Sequence, residues 1–226
     1  MGAYLLFMLP ALLLSLWASY RTKSAFEKFS RVRTARGLTG AQAAQEMLHR
    51  AGVYDVKIVP SHGFLSDHYN PMNKTLALSQ PVYDSPSVSA VGVACHEAGH
   101  AIQHAVGYKP LWLRSTLVPM ASVGSTLSYI VILLGLLLLR SPQMVYFGAA
   151  LFSMVVLFQL ITLPVEYDAS ARAKRLAVEN GIVLAQEREG MDRVLNAAAL
   201  TYVAAAISSI ATLLYYLSLA GGMSRR

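Results

Sequence analysis

A single cysteine, Cys95, stands among the 226 residues. That excludes an intrachain disulfide framework and any structural zinc site closed by cysteine pairs. Charge is also scarce: Asp, Glu, Lys and Arg make up 14% of the chain against 55% hydrophobic residues, and the mean hydropathy is +0.45. This balance points to a membrane. The formal net charge of +7 comes with no basic stripe interleaved with aromatics and no nucleic-acid module, so no nucleic-acid partner is expected. Internal repeats and low-complexity tracts are absent as well.

What is present begins with four apolar stretches, roughly 3–20, 117–139, 143–164 and 198–220, each close to the 20 or so residues that cross a bilayer. The first lacks a basic segment before it and a small-x-small cleavage site after Trp17, so it is read as a retained anchor rather than a signal peptide. Arg21, Lys23, Lys28, Arg31, Arg33 and Arg36 follow it directly, and the segment 166–194 carries Arg172, Lys174, Arg175, Arg188 and Arg193. The positive-inside rule puts both on the cytoplasmic side and the N-terminus outside. Arg225 and Arg226 run against that orientation, which the two larger basic clusters outweigh.

The expected organisation is therefore an anchor over 1–20, a cytoplasmic region over 21–115, a transmembrane hairpin over 116–164, a cytoplasmic insert over 165–197 and a last helix with its tail over 198–226. Within the first cytoplasmic region, Thr39 caps a helix to about Arg50 that Gly52 stops. Val53–Pro60 and Lys74–Ser79 have strand composition, with a turn-rich Gly63–Asn73 connection between them. Ser85-Pro86 reads as N-cap and first helical position of a helix to about Val106, ended by Gly107. The fold class expected is a mainly helical integral membrane protein with about four transmembrane helices and a small cytoplasmic α+β catalytic core of zincin-like type.

The last of those helices contains His96-Glu97-Ala98-Gly99-His100, an H-E-x-x-H pattern in helical context. Residues four apart share a helix face, so both imidazoles can reach one Zn2+ ion at about 2.0–2.1 Å, with Glu97 placed to act as general base on a zinc-activated water. Two surface histidines on a helix are the bland alternative. Nickel, cobalt or manganese could occupy the same ligands.

A catalytic zinc takes a third protein ligand and leaves a fourth position open. His104 continues the i, i+4 series, but eight residues of helix put it about 12 Å from His96, and the glycine turn of H-E-x-x-H-x-x-G-x-x-H is missing. Glu166, just past the third span, is preferred, because a hairpin of two spans returns the chain to the side it left. Asp168 is the rival ligand or an outer partner that orients an imidazole. His68 and Tyr69, in the turn-rich connection, are candidates to donate to a tetrahedral oxyanion, against a purely structural role around Asn70-Pro71. Arg172 could do the same or be a topological charge. Cys95 is expected to be a small buried core residue, with a redox thiol or competing ligand as the alternatives. The Thr75–Ser79 strand is expected to offer an edge that clamps extended substrate.

These segments together resemble the YugP-type membrane zinc metallopeptidases of bacteria, themselves similar to the larger HtpX and CAAX-processing group. The resemblance spans most of the chain. It is carried by Leu65-Ser-Asp-His-Tyr-Asn-Pro71 before Asn73-Lys-Thr75, His96-Glu-Ala-Gly-His-Ala-Ile-Gln-His104, Pro164-Val-Glu-Tyr-Asp-Ala-Ser170 and Val194-Leu-Asn-Ala-Ala-Ala-Leu-Thr-Tyr-Val-Ala-Ala205. It implies peptide-bond hydrolysis with one zinc held by His96, His100 and a downstream glutamate, matching Glu166. The larger group carries E-x-x-x-D at the third ligand, whereas here the acids stand as E-x-D and Ser170 fills the fourth place after Glu166.

The function expected is that of a membrane-embedded zinc endopeptidase of the bacterial plasma membrane, multi-pass, its active site facing the cytoplasm, acting on a peptide or membrane-protein substrate. An intramembrane protease is disfavoured by the polarity around His96 and by the absence of an L-D-G element in a later span. A non-catalytic zinc-binding membrane scaffold or adaptor is the other alternative.

Overall fold

A computed structural model describes residues 2–63 and 66–224. Leu65, which opens the first resembling segment, and Arg225 and Arg226 lie outside the described residues. The chain is mainly helical and divides into two compact units. Their main elements are α1 (Gly2–Ser30), α2 (Gly40–Arg50), β1 (Lys57–Ser61), β2 (His68–Asn70), β3 (Thr75–Ser79), α3 (Gln80–Tyr83), α4 (Val88–Ala105), α5 (Lys109–Leu137), α6 (Pro142–Glu179) and α7 (Arg188–Ser224).

One unit comprises Met1–Ala18, Trp112–Pro164 and Thr201–Arg226. It holds most of the apolar stretches of α1, α5, α6 and α7. Among the described residues four helices are long and apolar enough to cross a membrane, and between 11% and 33% of each apolar window is buried within the protein. Leu5, Leu9, Leu12 and Leu16 of α1 and Val123, Leu127 and Leu134 of α5 all face outward. Water would not tolerate so much contiguous apolar surface, whereas hydrocarbon does. At about 1.5 Å per residue, α6 and α7, with 38 and 37 residues, outrun a hydrocarbon core of about 30 Å.

Small residues let α5 and α6 approach in that unit: a Cβ added at Gly148 would stand 2.4 Å from Ile132 Cγ1. Their turn is short, with Arg140 at φ 44 and the Ser141 hydroxyl accepting from the Met144 amide at the start of α6. Between α1 and α7, the Ser15 and Ser208 hydroxyls meet at 3.2 Å, and Tyr4 packs edge-on to Tyr215.

The other unit comprises Ser19–Leu111 and Val165–Leu200. Helix α4 lies at its centre. Met47 and Leu48 of α2, Leu76 and Leu78 of β3, Val91 and Ala94 of α4, and Met191 and Leu195 of α7 share one buried cluster. Thr39 starts α2 with a reciprocal capping box with Gln42, and Gly52 ends it at φ +75. The sheet runs β1-β3-β2, with β1 parallel and β2 antiparallel to β3.

Three local expectations are corrected. The connection over 63–73 contains a strand, β2, whose His68, Tyr69 and Asn70 pair with Ala77, Leu76 and Thr75. Strand β3 is consequently the central strand, and neither of its edges is available to a substrate. The cap of α4 is Ser87, not Ser85: the Ser87 hydroxyl accepts from the Ala90 amide, while Ser85 donates to Ser87. The delay has a cause. The Thr34 amide donates to the Pro86 carbonyl and the Val88 amide to the Val32 carbonyl, so residues 86 and 87 are held extended and cannot enter the helix.

Candidate metal centre

Helix α4 presents His96 and His100 one turn apart, their rings 4.8 Å between centroids and nearly perpendicular. Helix α6 continues through Pro164 without a break, which fixes the phase of the downstream acids. Glu166 and Ser170, four apart, share the face turned to the two imidazoles, while Asp168 meets α4 further along, at Gln103. Glu166 Oε2 lies 3.1 Å from His96 Nε2 and 3.4 Å from His100 Nε2. His96, His100 and Glu166 each offer one ligand atom, all within 4.8 Å of one another.

Gly99 makes this convergence possible. A Cβ there would stand 2.7 Å from the Ala169 carbonyl oxygen, closer than real contacts allow. The glycine inside H-E-x-x-H thus admits the α6 backbone against α4 and sets Glu166 beneath the two imidazoles. Nothing in the motif's spacing signals this; the glycine itself was the available clue.

The far nitrogen of each imidazole is also held. His96 Nδ1 lies 3.0 Å from Ser170 Oγ, and His100 Nδ1 lies 3.0 Å from Gln103 Oε1. Gln103 is fully buried, and its amide nitrogen donates to the Val165 carbonyl at 2.8 Å and to Asp168 Oδ2 at 2.7 Å. Both of those partners only accept, which fixes the amide with its oxygen towards His100. His100 Nδ1 must then carry a hydrogen, so Nε2 is the nitrogen that meets Glu166, donating to it when the ring is protonated and offering its lone pair to a metal when it is neutral. Asp168 is in turn held by Arg172 Nε at 2.6 Å, and the Arg172 guanidinium lies over the Tyr108 ring. Asp168 therefore falls outside the group of three and reaches His100 through Gln103. Ser170 and Gln103 are the positioning residues that motif spacing did not reveal.

The donor set fits a zinc ion. Four ligands at about 2.0–2.1 Å around a tetrahedral ion stand about 3.3 Å apart, and the two Glu166 separations, 3.1 and 3.4 Å, bracket that edge. Two imidazoles and a carboxylate are donors zinc accepts. Among the described residues the group holds three protein donors and no fourth. Burial alone would depress the His100 pKa, but the hydrogen bond and charge of Glu166, aided by Glu97, reverse this and leave it raised. Glu97 is buried, and among the described residues none donates a hydrogen bond to its carboxylate.

The remaining sequence candidates are distributed around this centre. Tyr69 places its hydroxyl 2.8 Å from His104 Nδ1, and burial, with the charge of Asp55 adding, pushes its pKa up to about 12. His68 is exposed and pairs its Nδ1 with the Ser66 carbonyl at 2.8 Å. His104 is thus engaged with Tyr69 and is not one of the three clustered donors. Cys95 is fully buried, and burial, then the charge of Glu46, pushes its thiol up to about 12; it behaves as a core residue.

A mainly helical protein with four membrane-length helices and a buried His-His-Glu group belongs to the class of membrane proteins equipped to hold a metal ion. Residues 4–221 match the family model described as "Putative neutral zinc metallopeptidase", and the chain belongs to that family. It is 46% identical over 208 residues to the "Putative membrane protease YugP" of Bacillus subtilis (strain 168), covering 92% of each chain. No solved structure matches.

Proposed function

We propose that the chain is a zinc-dependent endopeptidase embedded in the bacterial plasma membrane, with one Zn2+ held by His96, His100 and Glu166. The observation that carries this reading is the count of donors: three converging protein atoms and, among the described residues, no fourth, which is the ligand number of a catalytic site rather than of a closed structural one. A bound Zn2+ supplies Lewis acidity that lowers the pKa of water towards about 7 and polarises a carbonyl.

Glu97 takes the role of general base. Its carboxylate is buried beside the two histidines and, among the described residues, uncommitted to any donor, so it can accept a proton and pass it to the leaving amine. Ser170 and Gln103 hold the Nδ1 sides of the two imidazoles, which turns both Nε2 atoms inward. Of the two oxyanion candidates, Tyr69 is preferred, because it is part-buried against α4 whereas His68 is exposed. His68 spends its Nδ1–H on the Ser66 carbonyl. Tyr69 meets His104, one helical turn beyond His100, within the neighbourhood of the centre.

The substrate is a peptide segment, free or part of a membrane protein, and the basic clusters after α1 and around 172–193 favour a site facing the cytoplasm. With β3 enclosed, the outer edge of β2 replaces it as the candidate clamp. The test is casein cleavage by detergent-purified wild type beside Glu97→Gln. Equal zinc in both, with cleavage only by the wild type, is expected. Full cleavage by Glu97→Gln would remove the base, and a cellular role surviving that substitution would favour a scaffold.

A further inference from the structure

A groove of about 570 Å3 lies between α1 and α7, outside the metal centre, and among the described residues no carboxylate lines it. Arg21 and Lys28 reach it from α1 and Arg193 from α7, while Phe29, Ala197 and Leu200 supply apolar wall. On α7, Arg193, Ala197 and Leu200 follow helical spacing along one face.

Its level on the two helices is significant. In α1 the apolar stretch ends at Tyr20 and the charges begin with Arg21; in α7 the charges end at Arg193 and the apolar stretch begins near Ala197. The Thr22 hydroxyl donates to the Ala197 carbonyl at 2.9 Å, pinning these two polar-to-apolar transitions side by side. The groove therefore opens at the boundary where lipid headgroups meet acyl chains, with cations beyond the boundary and hydrocarbon wall at it.

We propose that this groove binds the phosphodiester headgroup of an anionic phospholipid, with the first methylenes of its acyl chains against the apolar wall. Charge complementarity selects the headgroup: Arg21, Lys28 and Arg193 share a lining in which none of the described residues is acidic. Arg193 has a partner in Glu189, but both are largely exposed, and such a pair is weak enough to exchange for a phosphate. Lys28 holds its ammonium over the Phe29 ring at 5.5 Å, next to that apolar wall. A free phosphate would satisfy the cations but leave the apolar wall unused, which favours the lipid. The proposal does not depend on the peptidase reading, since lipid retention is read without turnover.

The full chain would be reconstituted into nanodiscs of phosphatidylcholine with a minor fraction of phosphatidylglycerol, and the lipid retained after detergent extraction counted by native mass spectrometry. Enrichment of phosphatidylglycerol is expected. It should fall about fivefold for each of Lys28→Gln and Arg193→Gln, and stay unchanged in Arg50→Gln and Lys57→Gln, which alter net charge equally outside the groove. Equal losses in the two control variants, or no enrichment over phosphatidylcholine, would overturn the proposal. Displacement of the lipid by millimolar glycerol 3-phosphate would assign the site to soluble phosphates and overturn it equally. Should a groove variant fail to fold, the salt dependence of wild-type enrichment decides: a steep fall supports the headgroup contact, and insensitivity refutes it.

Discussion

Gly99 and Ala169 touch: the α-carbon of one, inside H-E-x-x-H, faces the carbonyl of the other so closely that a Cβ would stand 2.7 Å from the oxygen. Because the obstacle is backbone, α6 itself would have to move, and Glu166 moves with it. Gly99→Ala is expected to cost about 1–3 kcal/mol of stability. It should also weaken zinc binding at least tenfold, read by thermal melting and by zinc competition against a chelator. Unchanged zinc affinity would show that the contact does not set the third ligand.

The Gln103 amide is the link between Asp168 and His100. Gln103→Leu keeps the volume roughly but removes every hydrogen bond, leaving His100 unoriented and the Asp168 carboxylate held by Arg172 alone. Zinc affinity should fall about 10–100-fold. Asp168→Asn, one bond further out, should have the smaller effect in the same competition assay.

Protonation of His100 opposes metal. Its pKa is raised in the folded, metal-free chain, so at neutral pH the imidazole competes for a proton that a metal must displace. Zinc binding should release protons, and its affinity should fall on acidification, measurable by calorimetry in buffers of different ionisation enthalpy. The stability of the zinc-free chain follows the opposite course. A raised pKa contributes stability that is fully present below the unfolded value of about 6.5 and is lost as pH rises through the folded value. Chelated protein should therefore melt at lower temperature as pH climbs past neutrality; a rising melting temperature there would contradict the assigned Glu166 contact.

Gly148 carries the packing of α5 on α6. Gly148→Val would drive a branched side chain into Ile132, and the expected result is loss of folded protein in detergent, followed by size-exclusion chromatography. A monodisperse, thermally unaltered variant would contradict that packing.

Much of this was readable in the chain. The four apolar stretches, the Thr39 cap and the α4 histidines all rest on local periodicity and capping chemistry, which sequence carries directly. What escaped depends on contacts between distant segments. Three residues of β2 are too few for a period and exist because β3 pairs with them. Ser85 lost the cap to Ser87 because Thr34 and Val32 hold residues 86 and 88 from fifty positions away. The roles of Ser170 and Gln103 became visible only once Pro164 was seen inside a continuous helix, since that settles which faces Glu166 and Asp168 occupy.

The most direct measurement is zinc per chain together with casein cleavage for wild type, Glu97→Gln and Glu166→Gln purified in parallel. The account predicts close to one zinc and activity in the wild type, close to one zinc and no activity in Glu97→Gln, and loss of both in Glu166→Gln with the fold retained. Full zinc and full activity in Glu166→Gln would contradict it.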